Sequence, residues 1–440
     1  MKPLSFALAL ILAATVQAAP QKPLKAFWLS PDWLLEGKPT SSAQAREVTG
    51  LVLDRLKGLG ANSIMLETWL RGYALSKVGE YPVYPLTRLT DGGDLTAIVL
   101  EEAGRRDLAV HAWVHCLFWR TDNPALTRSY HEGRSIWDDL VVTWLRAGAA
   151  KVSGNLRDAA LACAQALADG KEGALTQILR QAHVSTNEGV LQAFVPGFRE
   201  AGVAAPDWMV QTSEGDLHPS GAKDHWMTLY LNPEHPVVVQ RVTAMAKAIS
   251  DAYPALAGIH LDHIRYPRGL LNVPRDIKLG EVSTSGAMYK KWVALRKIRE
   301  GHVTALVKGI RAAIRPEHQL TSAVHPLYYF ERDEWQSRLS PDDFVCQDWH
   351  VWGLDAAIPM IYDSDAARVG RVLKKLRFGI LDREDGGART QVVPGVNLFR
   401  LMKELPTWVY FDFDGMRQIK AGSTPHTAKE EQDESSDTMD

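Results

Sequence analysis

Cysteine is scarce in this 440-residue chain: only Cys116, Cys163 and Cys346 occur. Three dispersed thiols exclude a disulfide-stapled scaffold and leave room for one bridge at most. No two of them have the spacing of a zinc site. An excess of one charge is also missing. Lys and Arg total 50 against 52 Asp and Glu, a net charge of -2. That balance gives no electrostatic case for a nucleic-acid partner or an anionic membrane. The chain lacks the run of about 20 apolar residues that a membrane-spanning helix needs. Its one leader-like stretch is residues 1–19, where Lys2 precedes a short apolar core and Val16-Gln17-Ala18 supplies a small-x-small end. We read this stretch as a signal peptide, which makes the protein exported, periplasmic or secreted, with no membrane span.

What is present is ordinary globular composition, 46% hydrophobic and 23% charged, with 14 Trp residues. Indole faces stack on sugar rings, although they also fill cores. Short apolar runs alternate with longer segments of helical period, which predicts parallel strands joined by helices. Strands are expected at residues 25–29, 62–66, 108–114, 226–231, 257–261, 320–324, 356–361, 390–396 and 408–413. Helices are expected at 41–59, 95–106, 236–253 and 289–314. The alternation breaks from 121 to 224, where residues 147–192 are rich in Ala and Leu at helical spacing. The fold expectation is therefore α/β, a (β/α)8 TIM barrel over residues 22–423 with a helical insertion after strand 3. Residues 424–440 are acidic and read as a disordered tail.

Catalytic groups of such barrels project from the C-terminal ends of the strands. Those ends carry Glu67 on the second strand, His111, Trp113 and His115 on the third, and His260 and Asp262 in the run GIHLDHIRYP. Arg265 and Tyr266 follow, and later ends offer His325, Tyr362, Asp363 and Asp412; Trp349 lies between two of the later strands. Cleaving a glycosidic bond takes two carboxyl groups, one passing a proton and the other attacking or activating water. Asp262 and Glu67 are the best-placed pair. His111, Trp113, His260, Arg265, Tyr266, His325, Trp349 and Tyr362 are the candidate substrate contacts. No metal ligand set and no cofactor are assigned.

The order of these motifs resembles the bacterial glycosyl hydrolase-like 10 family of exported barrel proteins. The resemblance runs from Lys25 to about Gly415. It rests on Leu231-Asn232-Pro233 followed by a helix and GIHLDHIRYP, with NSIMLE at 62–67, His111-Ala112-Trp113, Gln347-Asp348-Trp349 and DAAIPMIY at 355–362. It implies a (β/α)8 barrel acting on a bacterial glycan, cell-wall peptidoglycan or an exopolysaccharide. Two other functions are compatible with the residues. One is a catalytically inactive barrel that binds glycan or a protein partner, since fold does not settle function. The other is a metal-dependent hydrolase drawing on His111, His115, His260 and Asp262. Against it, the first strand carries Phe27-Trp28-Leu29 where such barrels usually place an H-x-H pair.

Overall fold

A computed structural model of the protein describes residues 23–36, 38, 40–121, 133–185, 190–211, 217, 228–267, 287–325, 345–361, 380–381, 390–396, 407–410 and 419. The leader, the acidic tail, Tyr362, Asp363 and Asp412 lie outside the described residues.

Eight strands form a closed parallel barrel. They are β1 (Lys25–Leu29), β2 (Ser63–Leu70), β3 (Ala109–His115), β4 (Gly258–Asp262), β5 (Gln319–Val324) and β6 (Ala356–Ile361), then β7 in two pieces (Thr390–Val392 and Gly395–Val396) and β8 (Trp408–Tyr410). Each pairs in parallel with its predecessor, and β8 returns to β1 through Lys25↔Trp408 and Phe27↔Tyr410. Successive side chains on a strand point to opposite faces, so each stave divides between two apolar layers. Ala26, Trp28, Met65, Trp113, Ile358 and Val409 meet inside the barrel. Phe27, Leu29, Ile64, Leu66, Ala112, Val114, Ile259 and Leu261 belong to the outer layer beneath the helices.

Local chemistry starts the helices where the sequence indicates. In α1 (Ser42–Gly58), Ser41 and Gln44 form a reciprocal capping box. Asp94 caps α2 (Leu95–Gly104) by accepting from the Thr96 and Ala97 N–H groups.

The insertion between β3 and the next barrel helix carries α3 (Asp138–Ala149), α4 (Gly154–Ala168), α5 (Leu175–Gln181) and α6 (Val195–Glu200). The chain then re-enters the barrel through α7 (Pro236–Ala252), and α8 (Ala287–Ala313) joins β4 to β5. The insertion does not stand off from the barrel. Its buried Val141, Leu145, Cys163 and Phe198 belong to the same apolar cluster as the outer barrel layer. Trp137 stacks on Trp208 at 6.3 Å, and Arg241 of α7 holds Asp139 through two 2.7 Å hydrogen bonds.

One expected stave is corrected. Within 226–231, Thr228–Tyr230 does not enter the barrel but pairs antiparallel with Phe118–Thr121 as a separate two-stranded ribbon. The fourth stave is β4, bonded directly to β3. A three-residue apolar strand looks alike in sequence whether its partner is a barrel or a ribbon. None of the three cysteines is in a disulfide, and all are buried.

Candidate active site

The site begins with the short apolar strand β4. Gly258 lies so close to β5 that a Cβ there would meet the Gln319 carbonyl, which explains a glycine in the strand. Ile259 and Leu261 face the helices, so His260 and Asp262 face inward. The register sets their heights: Trp113 pairs with His260, His115 with Asp262, and Glu67 with Trp113. Asp262 and His115 share the C-terminal end, His115 Nε2 reaches Glu67 Oε1 at 3.0 Å, and His260 lies two residues deeper on β4.

Asp262 is held from two sides. The Trp113 indole donates to Oδ2 at 3.0 Å, and the His263 backbone N–H donates to Oδ1 at 2.6 Å. His263 takes φ 50, a left-handed conformation uncommon outside glycine. That turn brings its ring back beside the same carboxylate, with Nδ1 3.2 Å from Oδ1. The His115 ring stacks on His263 at 4.9 Å between centroids and 18° between planes. On its other side, His115 Nε2 approaches Glu67 Oε1 to 3.0 Å. This approach lacks hydrogen-bond alignment, so it is a charge contact available when His115 is protonated. Phe118 packs against His263 at 4.8 Å, and Arg71 lies over the Phe118 ring at 5.3 Å.

These surroundings set the charge of Asp262. Burial pushes its carboxyl upward, but His263, then His115 and His260, outweigh burial and hold it far below the usual carboxylate range. Asp262 is an anion at any physiological pH, which suits a nucleophile, a general base or a cation ligand rather than a proton donor. Burial, only partly offset by Asp262, lowers the His263 pKa.

The other candidates separate into those near this cluster and those away from it. Trp113 is inside the barrel, 7% exposed, and serves Asp262 as a donor rather than as an open platform. His260 is fully buried with both ring nitrogens engaged. Trp28 donates its indole N–H to Nε2 at 3.1 Å, so the proton sits on Nδ1 and goes to Thr321 Oγ1 at 2.9 Å. Burial holds His260 neutral, its pKa pushed down to about 3. Its ring ties β4 to β1 and β5 inside the barrel.

His111 sits lower still, lining a cavity of about 300 Å³ at the opposite, N-terminal end with Asn62, Asp107, Glu317 and Asp355. Tyr266 is buried against α8, its hydroxyl 3.3 Å from His302 Nδ1 and Arg299 over its ring. Trp349 is buried in the outer layer, stacked on His350 at 4.1 Å. Arg265 lies over Tyr230 of the ribbon at 5.3 Å, close to the His263 side of the cluster. His325 is partly exposed after β5, its N–H donating to Gln347 Oε1 at 2.8 Å. The residue that sequence reasoning missed is His263. Strand alternation sends the residue after Asp262 outward, and only the left-handed turn reverses it.

No family model matches the chain, and no curated protein matches it. Among solved structures, it is similar to the PgaB (BpsB) glycoside hydrolase domain from Bordetella bronchiseptica. The identity is 10%, the likeness covers 92% of this chain and 100% of that one, and the TM-score is 0.47. An alpha-galactosidase from Thermus thermophilus is similar at 9% identity over 94% and 61% of the two chains, with a TM-score of 0.39. An alpha-amylase from Geobacillus thermoleovorans follows at 11% identity over 89% and 71%, with a TM-score of 0.36. By its own strand pairing the protein is a (β/α)8 barrel, and its strand ends gather two carboxylates and two histidines at one mouth.

Proposed function

We propose that this protein is an exported glycoside hydrolase that cleaves O-glycosidic bonds in a bacterial glycan, cell-wall peptidoglycan or an exopolysaccharide. The observation that carries the reading is the Asp262 carboxylate, held ionised at the barrel mouth with Glu67 one imidazole away across His115. Glycoside cleavage requires two carboxyl groups placed about the scissile bond. In this reading Asp262 acts as the anion, attacking the sugar or activating water, and Glu67 passes the proton to the leaving oxygen. His115 sits between them and sets their spacing. The Trp113 and His263 N–H donors keep Asp262 aimed while charge changes around it, a form of electrostatic preorganisation.

The test is release of new reducing ends when the purified protein is incubated with peptidoglycan or exopolysaccharide. Cleavage supports the reading. A second reading is favoured by one specific observation: Glu67 and Asp262 are only 4% and 7% exposed. A barrel with its carboxylates so enclosed would bind glycan or a partner without turnover, and it would retain the polysaccharide with no new reducing ends.

A further inference from the structure

We propose that His115, Asp262 and His263 form a binding site for a divalent transition-metal ion of the zinc class. One donor atom from each of the three lies within 4.8 Å of the others. Two imidazoles and a carboxylate are the ligand types that zinc and its neighbours prefer, and three protein ligands leave a position for water or substrate. The metal-dependent reading of the sequence grouped His115 and Asp262 with His111 and His260; in the structure His263 takes the place of those two, and it enters the set only through its left-handed turn.

A second observation points independently to a ligand. Both ring nitrogens of His115 and Nδ1 of His263 are buried without a hydrogen-bond partner. Buried polar atoms are almost always satisfied; here His263 Nδ1 lies 3.2 Å from Asp262 Oδ1 and His115 Nε2 3.0 Å from Glu67 Oε1 without hydrogen-bond alignment, and His115 Nδ1 is unsatisfied as well. Elsewhere in the barrel, His260 has both nitrogens satisfied by Trp28 and Thr321. His111 Nδ1, at the opposite end, is also without a partner, so what marks this cluster is the gathering of several such nitrogens beside the Asp262 carboxylate.

The outer contacts match those of a metal site. Metal-bound histidines commonly carry a carboxylate behind the ring, which orients them and fixes the tautomer. Glu67 Oε1 occupies that place, 3.0 Å from His115 Nε2, which leaves Nδ1 as the ligand atom. Asp262 is oriented in turn by the Trp113 indole and the His263 N–H. The near-parallel His115 and His263 rings cannot both aim in-plane lone pairs at one ion. Binding therefore turns the His263 ring, whose side chain is 25% exposed. An ion seated here takes the Asp262 anion out of service for glycan cleavage, so zinc inhibits that activity. This consequence alone rests on the glycosidase reading.

The test uses the full mature chain, stripped with chelator and titrated calorimetrically with Zn²⁺ alone, then with Co²⁺ followed by visible absorption. One equivalent of Zn²⁺ and Co²⁺ d–d bands of nitrogen–oxygen coordination are expected. His115→Ala and His263→Ala should each weaken binding by at least about tenfold with unchanged circular dichroism. His263 is at the mouth surface, so its variant folds even if the buried His115 variant does not. Absence of stoichiometric binding, or undiminished binding in folded His263→Ala, overturns the site. Reducing-end release that Zn²⁺ suppresses and chelator restores supports both proposals. One-equivalent binding that depends on His115 and His263, without any glycan cleavage, supports the metal site and counts against the glycosidase.

Discussion

Trp113 on β3 donates its indole N–H to Oδ2 of Asp262 on β4 at 3.0 Å, inside the barrel where both residues are more than nine-tenths buried. The bond fixes which carboxylate oxygen is occupied and leaves Oδ1 to the His263 side. A hydrogen bond to a charged group contributes roughly 1.5–3 kcal/mol. Trp113→Phe should therefore lower glycan cleavage about 10- to 100-fold while the barrel stays folded. Kinetics of reducing-end release beside a circular dichroism melt checks this. Unchanged turnover would show that the indole only fills space.

The buried His111 predicts acid sensitivity. Burial, with a smaller contribution from His318, pushes its pKa down to about 4 from the ordinary 6.5. Between those two values the unfolded chain binds a proton that the folded chain refuses, so stability falls as pH drops through this window. The contribution is present above pH 6.5 and reaches about 3 kcal/mol of loss near pH 4. His111→Gln should flatten the melting-temperature slope between these values. An identical slope in the variant contradicts the assignment.

Glu172 of the insertion predicts the opposite sign. Burial raises its pKa to about 7, with Arg71 opposing, and Tyr73 donates its hydroxyl to Oε2. Here the folded chain holds a proton that the unfolded chain has released, so stability falls as pH rises from 4.5 through about 7. Glu172→Gln keeps the shape and removes the charge. It should stabilise the protein at pH 8 by up to about 3 kcal/mol and leave it unchanged at pH 4. Chemical denaturation at both pH values measures the difference.

The insertion's packing gives a fourth prediction. A Cβ on Gly148 of α3 would run into the Phe198 ring of α6, which itself meets Trp144 edge-on at 5.1 Å. Gly148→Ala should cost about 1–3 kcal/mol through overpacking. Because the insertion shares one apolar cluster with the barrel, the loss should appear in a single melting transition. Two separate transitions would show that the insertion folds as its own unit.

The staves of the barrel were readable because each is a short apolar run bounded by turns, and the capped starts at Ser41 and Asp94 are written in local residues. The residues at 228–230 misled because their partner strand, at Phe118–Thr121, cannot be inferred from their own pattern. At the site, strand alternation places Glu67, His115, His260 and Asp262 on the inner face. Alternation fixes the face and not the depth. Two residues along a strand is a step of roughly 6.6 Å, enough to take His111 and His260 away from the mouth. Tyr266 and Trp349 lie beyond strand ends, where no periodicity applies, and both turn into the outer layer. His263 depends on a backbone φ of 50 that no residue type there announces.

The central claim is that Asp262 is the catalytic anion. Asp262→Asn keeps the shape and the capacity to accept the Trp113 hydrogen bond but removes the charge. The decisive measurement is the rate of reducing-end release per folded molecule, wild type against Asp262→Asn, with glycan binding and melting temperature recorded in parallel. The account predicts a fall of at least about 10³-fold, near 4 kcal/mol on the rate scale, with binding retained and a stability loss of only the roughly 1–3 kcal/mol expected when the His263 N–H faces the Asn amide. Retained turnover in the folded Asp262→Asn protein would contradict it.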